Sequence, residues 1–174
     1  MTKVKWRHFP SYSYPIPECL AVVDAFLVNE SRLILSEEGK LISDEVLSII
    51  RGELLKSGFR VETSKKQSDK IIEVVTWGEN GVPDKTFNID ALHHEKGIVV
   101  EIEAGQAVVN YRFLKDFFEA CALQVAQYLV IAVRNDYKGN KDFDTVCNYF
   151  ERLYTSGRMN VPLKGLLVIG YPAK

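Results

Sequence analysis

The apolar positions of the chain follow two rhythms, and the switch between them predicts most of its elements. From residue 18 to 29, Leu20, Val23, Phe26 and Leu27 recur at helical spacing, just after Pro17, which suits a first helical turn. A clearer helix is predicted from Ser43, a natural N-cap, followed by Asp44 and Glu45, which complement the positive helix end. Its apolar face is Val46, Leu47, Ile49, Ile50, Leu54 and Leu55, and Gly58 stops it. The period then shortens to two. Residues 59–63, 71–77, 85–92 and 97–103 read as four short strands. A basic polar loop at 64–70, the Gly-Glu-Asn-Gly turn at 78–81 and a tip at Glu95 and Lys96 separate them. Helical spacing returns over 108–123 through Phe113, Leu114, Phe117 and Cys121. Residues 128–134 form a nearly continuous apolar run, as a central strand buried on both faces does. A helix over 143–154 and an apolar strand over 165–170 complete the series.

This order is a helix, four short strands, then α, β, α, β. It predicts a small α/β domain with a mixed central sheet flanked by helices. Residues 1–42 are expected to form an irregular aromatic arm and a helical extension of that domain, and 43–174 its α/β core. A chain of 174 residues supports one domain with a sizeable core. Its 47% hydrophobic and 26% charged residues mark a globular rather than a disordered chain. No apolar run approaches the length of a membrane span, and the first residues lack the apolar region of a secretory signal. Cys19, Cys121 and Cys147 lie far apart without metal-ligand spacing, which points to reduced thiols in a cytoplasm. The net charge of −1 argues against a protein that coats nucleic acid, though not against local contact with it.

The richest chemistry lies in residues 87–105. With Glu95 and Lys96 at the tip of a two-residue turn, His94 opposes Gly97 and the register places Asp90 directly across from Glu101. Such partners have Cβ atoms about 5 Å apart on the same face. Glu103 shares that face through the period of two, while Ile89, Ala91, Ile98, Val100 and Ile102 form an apolar opposite face. Opposed carboxylates repel, so such a face is either solvated or bound to a cation. The spacing leaves both open. The apolar neighbours of Glu101 favour a central strand, and oxygen-only ligands suit Mg²⁺ or Mn²⁺ rather than Zn²⁺.

The order of helix, strand, strand with Asp90, strand with Glu101-Ile102-Glu103, helix and strand resembles the PD-(D/E)XK nuclease superfamily over about residues 43–134. The pattern is similar to the variant with glutamate in the lysine position, as in the BamHI and BglII group of restriction endonucleases. The resemblance implies a restriction-endonuclease-like core and a Mg²⁺-dependent endonuclease acting on DNA in restriction, repair or defence. It makes Asp90, Glu101 and the Ile102 carbonyl metal ligands, with Glu103 positioning or deprotonating the attacking water. Members often add an acid from the first core helix; Glu45 is the candidate and Glu53 its competitor. No proline precedes Asp90, and Glu103 removes a charge that would stabilise the pentacovalent phosphate.

Cutting both strands would require a dimer, and a C₂ homodimer matches duplex symmetry. Lys65, Lys66, Arg112 and Lys115 are candidate contacts to DNA phosphates, or simply exposed cations. Gln106 and Asn110 open the helix after the acidic strand, His93 and His94 sit at the hairpin tip, and Trp6, Phe9, Tyr12 and Tyr14 either stack bases or tuck onto the domain. The main alternative function is a nuclease-fold protein without cleavage, serving as a nucleic-acid-binding or regulatory module. A sugar hydrolase using the carboxylate pair is disfavoured by the crowding of directly opposed acids.

Overall fold

The computed structural model describes residues 3–34, 41–64 and 66–172. Five helices of the α type and eight strands are found among them. In chain order they are β1 (Lys5–Phe9), α1 (Pro17–Val28), α2 (Glu30–Ile34), α3 (Ser43–Lys56), β2 (Arg60–Val61), β3 (Ile71–Trp77) and β4 (Pro83–Ile89). Then follow β5 (Ala91–His93), β6 (Ile98–Glu103), α4 (Arg112–Ala122), β7 (Tyr128–Arg134), α5 (Asp142–Ser156) and β8 (Gly165–Tyr171).

Six strands make one mixed sheet in the order β1-β8-β7-β6-β5-β2. The pairs β6–β7 and β7–β8 are parallel, and those of β1, β2 and β5 are antiparallel. Parallel neighbours need crossovers, and α4 and α5 supply them. The sheet is covered on both faces. On one, Val46, Leu47, Ile50 and Leu54 of α3 and Val22, Val23 and Phe26 of α1 pack against Val100, Ile102, Val130 and Ala132. On the other, Phe113 and Phe117 of α4 and Val146 and Phe150 of α5 pack against Val99, Leu129, Ile131 and Val168.

Several expectations are corrected. The N-terminal arm is not irregular throughout: β1 is an edge strand on β8, and Phe9 is buried between Phe150 and Tyr154. Residues 5–9 thus belong to the core sheet. The four middle strands are not one meander, because β3 and β4 pair only with each other as a separate two-stranded sheet. Residues 85–92 are not one strand either. The chain bends at Asp90, so Ile89 joins the α4–α5 side of the core while Ala91, two residues on, joins the α1–α3 side. Ile42, not Ser43, is the N-cap of α3, and α4 starts four residues later than the spacing suggested. Asn110 and Tyr111 precede it with φ of 56° and 53°, left-handed conformations that an α-helix cannot include. Neither Gln106 nor Asn110 therefore opens that helix.

Candidate carboxyl site and cleft

The hairpin of β5 and β6 places the first acids. Glu95 and Lys96 form its tip, closed by the Gly97 N–H donating to His94 O at 3.2 Å. The pairs Ala91↔Val100, Leu92↔Val99 and His93↔Ile98 set a register that, carried one residue on, brings Asp90 opposite Glu101. Asp90 lies at the bend, outside both strands, and its Oδ2 accepts the Ile102 N–H at 2.8 Å. The same contact ties the Ile102 backbone to Asp90 while its side chain is buried in the core.

Glu101 and Glu103 share the face of Val99, so they point towards α4 and not into open solvent. Of the alternatives that the spacing left open, a solvated face is excluded, because a helix covers it. That helix brings an acid of its own. In α4, Phe113, Asp116, Phe117 and Ala120 are the buried positions, at helical spacing i, i+3, i+4 and i+7. Asp116 is only 7% exposed, and it is hydrogen-bonded to Glu103. Two carboxyl groups can bond in this way only with a proton between them. Burial raises both carboxyls, so the pair favours a shared proton.

Burial dominates the electrostatics of this group. It pushes the Asp90 carboxyl up to about 7 against the opposing effect of the Ile102 N–H, with Glu62, Asp116 and Asp44 adding to the rise. Burial likewise raises Asp116 to about 7, with Glu103 next in effect. Glu101 is raised well above the ordinary range by burial and then by Asp90. Glu103 is raised by burial but held back by Arg112, by its bond to Asp116 and by Lys115. Four desolvated carboxyls thus repel one another and favour protons or a cation.

Beyond the C-terminal ends of β6 and β7 opens a cleft of about 750 Å³. Its walls include Ile42 and Ser43 at the start of α3, Glu103 at the end of β6 with Gln106 beyond it, Arg112, and Arg134 at the end of β7 with Lys138 beyond it. The cleft lies where open α/β sheets bind ligands, outside the carboxyl ends of parallel strands. Its walls are fixed from the core. The Tyr171 hydroxyl donates to Glu103 O at 3.1 Å, and Arg134 Nη2 donates to Leu41 O at 2.6 Å. Gly105 has φ of 129°, and a Cβ there would lie 2.5 Å from Tyr137 Cε2, so only glycine lets the Tyr137 ring close over this backbone.

The other residues singled out from sequence fall as follows. Glu45 is exposed, and its Oε2 accepts the Ile42 N–H at 2.9 Å, so it caps α3 and is not drawn into the carboxyl group. Glu53 pairs with Lys56 at 2.7 Å. Lys65 lies outside the described residues, and Lys66 is exposed on the loop before β3. Arg112 lines the cleft, whereas Lys115 ion-pairs with Glu119 at 2.9 Å. His94 is exposed at the hairpin tip, but His93 packs edge-on against Phe59 with ring centroids 5.2 Å apart. Trp6 packs against Tyr14. Asp116 was not singled out from sequence, although an acid in an otherwise apolar helical stripe is a readable signal.

Among the described residues, no group of three His, Cys, Asp or Glu side chains is arranged to hold a metal ion, and no helix is long and apolar enough to cross a membrane. No family model and no curated protein matches the chain.

Proposed function

We propose that the protein is a Mg²⁺-dependent endonuclease that hydrolyses DNA phosphodiester bonds. Asp90, Glu101, Glu103 and Asp116 would be its cation-binding carboxyls, and the cleft the seat of the strand. The observation that carries this reading is the double role of Glu103: it belongs to the buried carboxyl group and to the wall of a cleft that also holds Arg112 and Lys138. Asp116 takes the place first given to Glu45 as the acid supplied by a helix.

The donor set fits a hard divalent cation, Mg²⁺ or Mn²⁺, in chemistry: all its groups are oxygen, and the carboxyls are desolvated. Closing three of them around one ion would require a carboxylate to turn and the proton shared by Asp116 and Glu103 to leave. Such an ion polarises a phosphoryl oxygen and lowers the pKa of a bound water. The protein's own groups do the rest. Glu103 Oε atoms can take a proton from the attacking water, with Asp116 as the group that shares it. Arg112 and Lys138 would hold the phosphate, and Tyr171 fixes the backbone of Glu103.

The resemblance extends this reading to a restriction-endonuclease-like core and a C₂ homodimer for cutting both strands. Cys19, Cys121 and Cys147 are free, and burial pushes their thiols up to about 12, 11 and 12, which fits a reducing cytoplasm. A second reading, a nucleic-acid-binding module without cleavage, is favoured by Glu103 in the lysine position and by the lack of three converging ligands among the described residues.

One experiment separates them. Supercoiled plasmid and single-stranded DNA are incubated with the protein, Asp90→Ala and Glu101→Ala in Mg²⁺, Mn²⁺ or EDTA. Cleavage by the wild type with either metal, lost in EDTA and in both variants, is expected. Cleavage that persists in both variants sinks the site, and DNA binding without cleavage under any condition supports the second reading.

A further inference from the structure

Two consecutive residues before α4 hold a backbone conformation that most side chains avoid. Asn110 and Tyr111 have φ of 56° and 53°, and Tyr111 is the N-cap of that helix. Asparagine tolerates the left-handed region because its short amide can hydrogen-bond locally, whereas a bulky aromatic has no such compensation. An N-cap is ordinarily a small polar residue as well. Tyrosine stands there nonetheless, and strain of this kind persists only where the surrounding structure fixes it, most often at sites that bind.

What fixes it is a ladder of rings. Phe113 is buried against Phe150, with centroids 5.7 Å apart. Tyr149 meets Phe113 edge-on at 5.4 Å, and Tyr111 meets Tyr149 edge-on at 6.0 Å. The ladder runs from the core to the surface, and its last ring is 55% exposed. The next residue, Arg112, lines the cleft. Tyr137 of the cleft wall differs: it closes over Gly105 and carries Arg134 and Lys138 over its ring, at 5.4 and 5.3 Å. Its ring is engaged within the wall, while that of Tyr111 is presented to solvent.

A propped, exposed ring next to a cleft cation is the pairing that suits an unpaired strand: the cation meets the backbone and the ring meets a base. A duplex could use only half of it. Its bases are stacked on one another, so a side chain in a groove reaches their edges and not their faces. The charge agrees, since the wall offers Arg112, Arg134 and Lys138 rather than the broad basic face that a duplex with two phosphate backbones favours.

We propose that Tyr111 stacks on an unpaired base and that the strand entering the cleft is single-stranded DNA. The inference rests on the DNA reading, and it holds whether or not the strand is then cut. It makes Tyr111 a binding residue held in a strained backbone, so that binding and stability part company. Asparagine fits the left-handed region better than tyrosine but offers no ring. Tyr111→Asn should therefore lose binding without losing stability.

The test measures binding of a labelled oligothymidylate and of a blunt duplex by fluorescence anisotropy in EDTA, with a urea midpoint for each protein. The full chain is compared with Tyr111→Asn and Tyr111→Phe. The wild type should bind the single strand at least about tenfold tighter than the duplex. Tyr111→Asn should weaken single-strand binding about tenfold, the order of one lost base stack, and Tyr111→Phe should stay within about twofold. Duplex binding should not change with either substitution, and the urea midpoint of Tyr111→Asn should be no lower than that of the wild type. A wild type that binds both DNAs equally, or a Tyr111→Asn variant that binds the single strand as the wild type does, overturns the inference and leaves the DNA reading standing. A midpoint that falls together with binding assigns Tyr111 to the packing of α4 and α5 and overturns it too. A wild type that binds neither DNA defeats the DNA reading itself, and the inference with it.

Discussion

Asp116 occupies a helix position that spacing gives to an apolar side chain, and its environment decides what it does. Burial raises its pKa, and that of Asp90, from an ordinary value near 3.8 to about 7. A carboxyl raised in this way binds more protons folded than unfolded between those limits. Its contribution to stability is therefore complete below about pH 4 and is lost as the pH climbs through about 7. In EDTA, the thermal midpoint should fall from pH 5 to pH 8. Asp116→Asn removes one of the charges while its Nδ2 can still donate to Glu103. That variant should be more stable than the wild type at pH 8 by on the order of 2 kcal/mol, with a flatter pH profile, and should lose metal-dependent cleavage. A midpoint that rises with pH in the wild type would contradict the assignment. The sequence showed Asp90, Glu101 and Glu103 because they fall on a strand pairing fixed by a short turn. It did not show Asp116, because which helix covers a strand face is a long-range matter that no local period reports. Glu45 looked similar to an active-site acid from sequence alone, but an acid at the third position of a helix has a local use, and it takes it.

Elements carry the register that makes this group possible. The turn of the β5–β6 hairpin depends on Gly97, with φ of 63° and no room for a side chain. A Cβ there would lie 2.4 Å from Val125 O, a backbone atom of the loop leading to β7, which cannot swing aside as a side chain can. Gly97→Ala should destabilise the protein by on the order of 2 kcal/mol or more, read as a lower urea midpoint with unchanged slope. A midpoint equal to that of the wild type would mean the turn is not under this constraint. Strands β3 and β7 matched their apolar runs at both ends, since a run bounded by turn residues or by a buried core has little freedom to shift. The break at Asp90 was hidden, because a bend of one residue leaves the alternation of types intact while it swaps the faces. Strand β1 was hidden for another reason. Its residues, Lys-Trp-Arg-His-Phe, lie at the sheet edge with only Phe9 buried, so no apolar period marks it.

At the scale of the whole molecule, a net charge of −1 must be reconciled with the polyanionic substrate proposed for it. The fold does so by separation. The acids that dominate the site are pulled under α4, while Arg112, Arg134 and Lys138 come together around the cleft from the start of α4, the end of β7 and the loop after it. Arg134 donates to Leu41 O in the wall, which leaves Arg112 and Lys138 as the side chains that would meet phosphates in the proposed complex. The number of phosphates neutralised fixes how steeply binding falls with salt, because each releases counterions. A protein that gripped the duplex over a broad basic face would lose affinity steeply. Here the log of the binding constant for an oligonucleotide, measured in EDTA, should fall against log salt with a slope of about −2. Arg112→Ala and Lys138→Ala should each make that slope shallower by about one unit. A steep slope that neither substitution changes would place the strand elsewhere on the molecule. In that case Glu103 would no longer link the carboxyl group to the substrate, and the cleft would lose its part in the proposed chemistry.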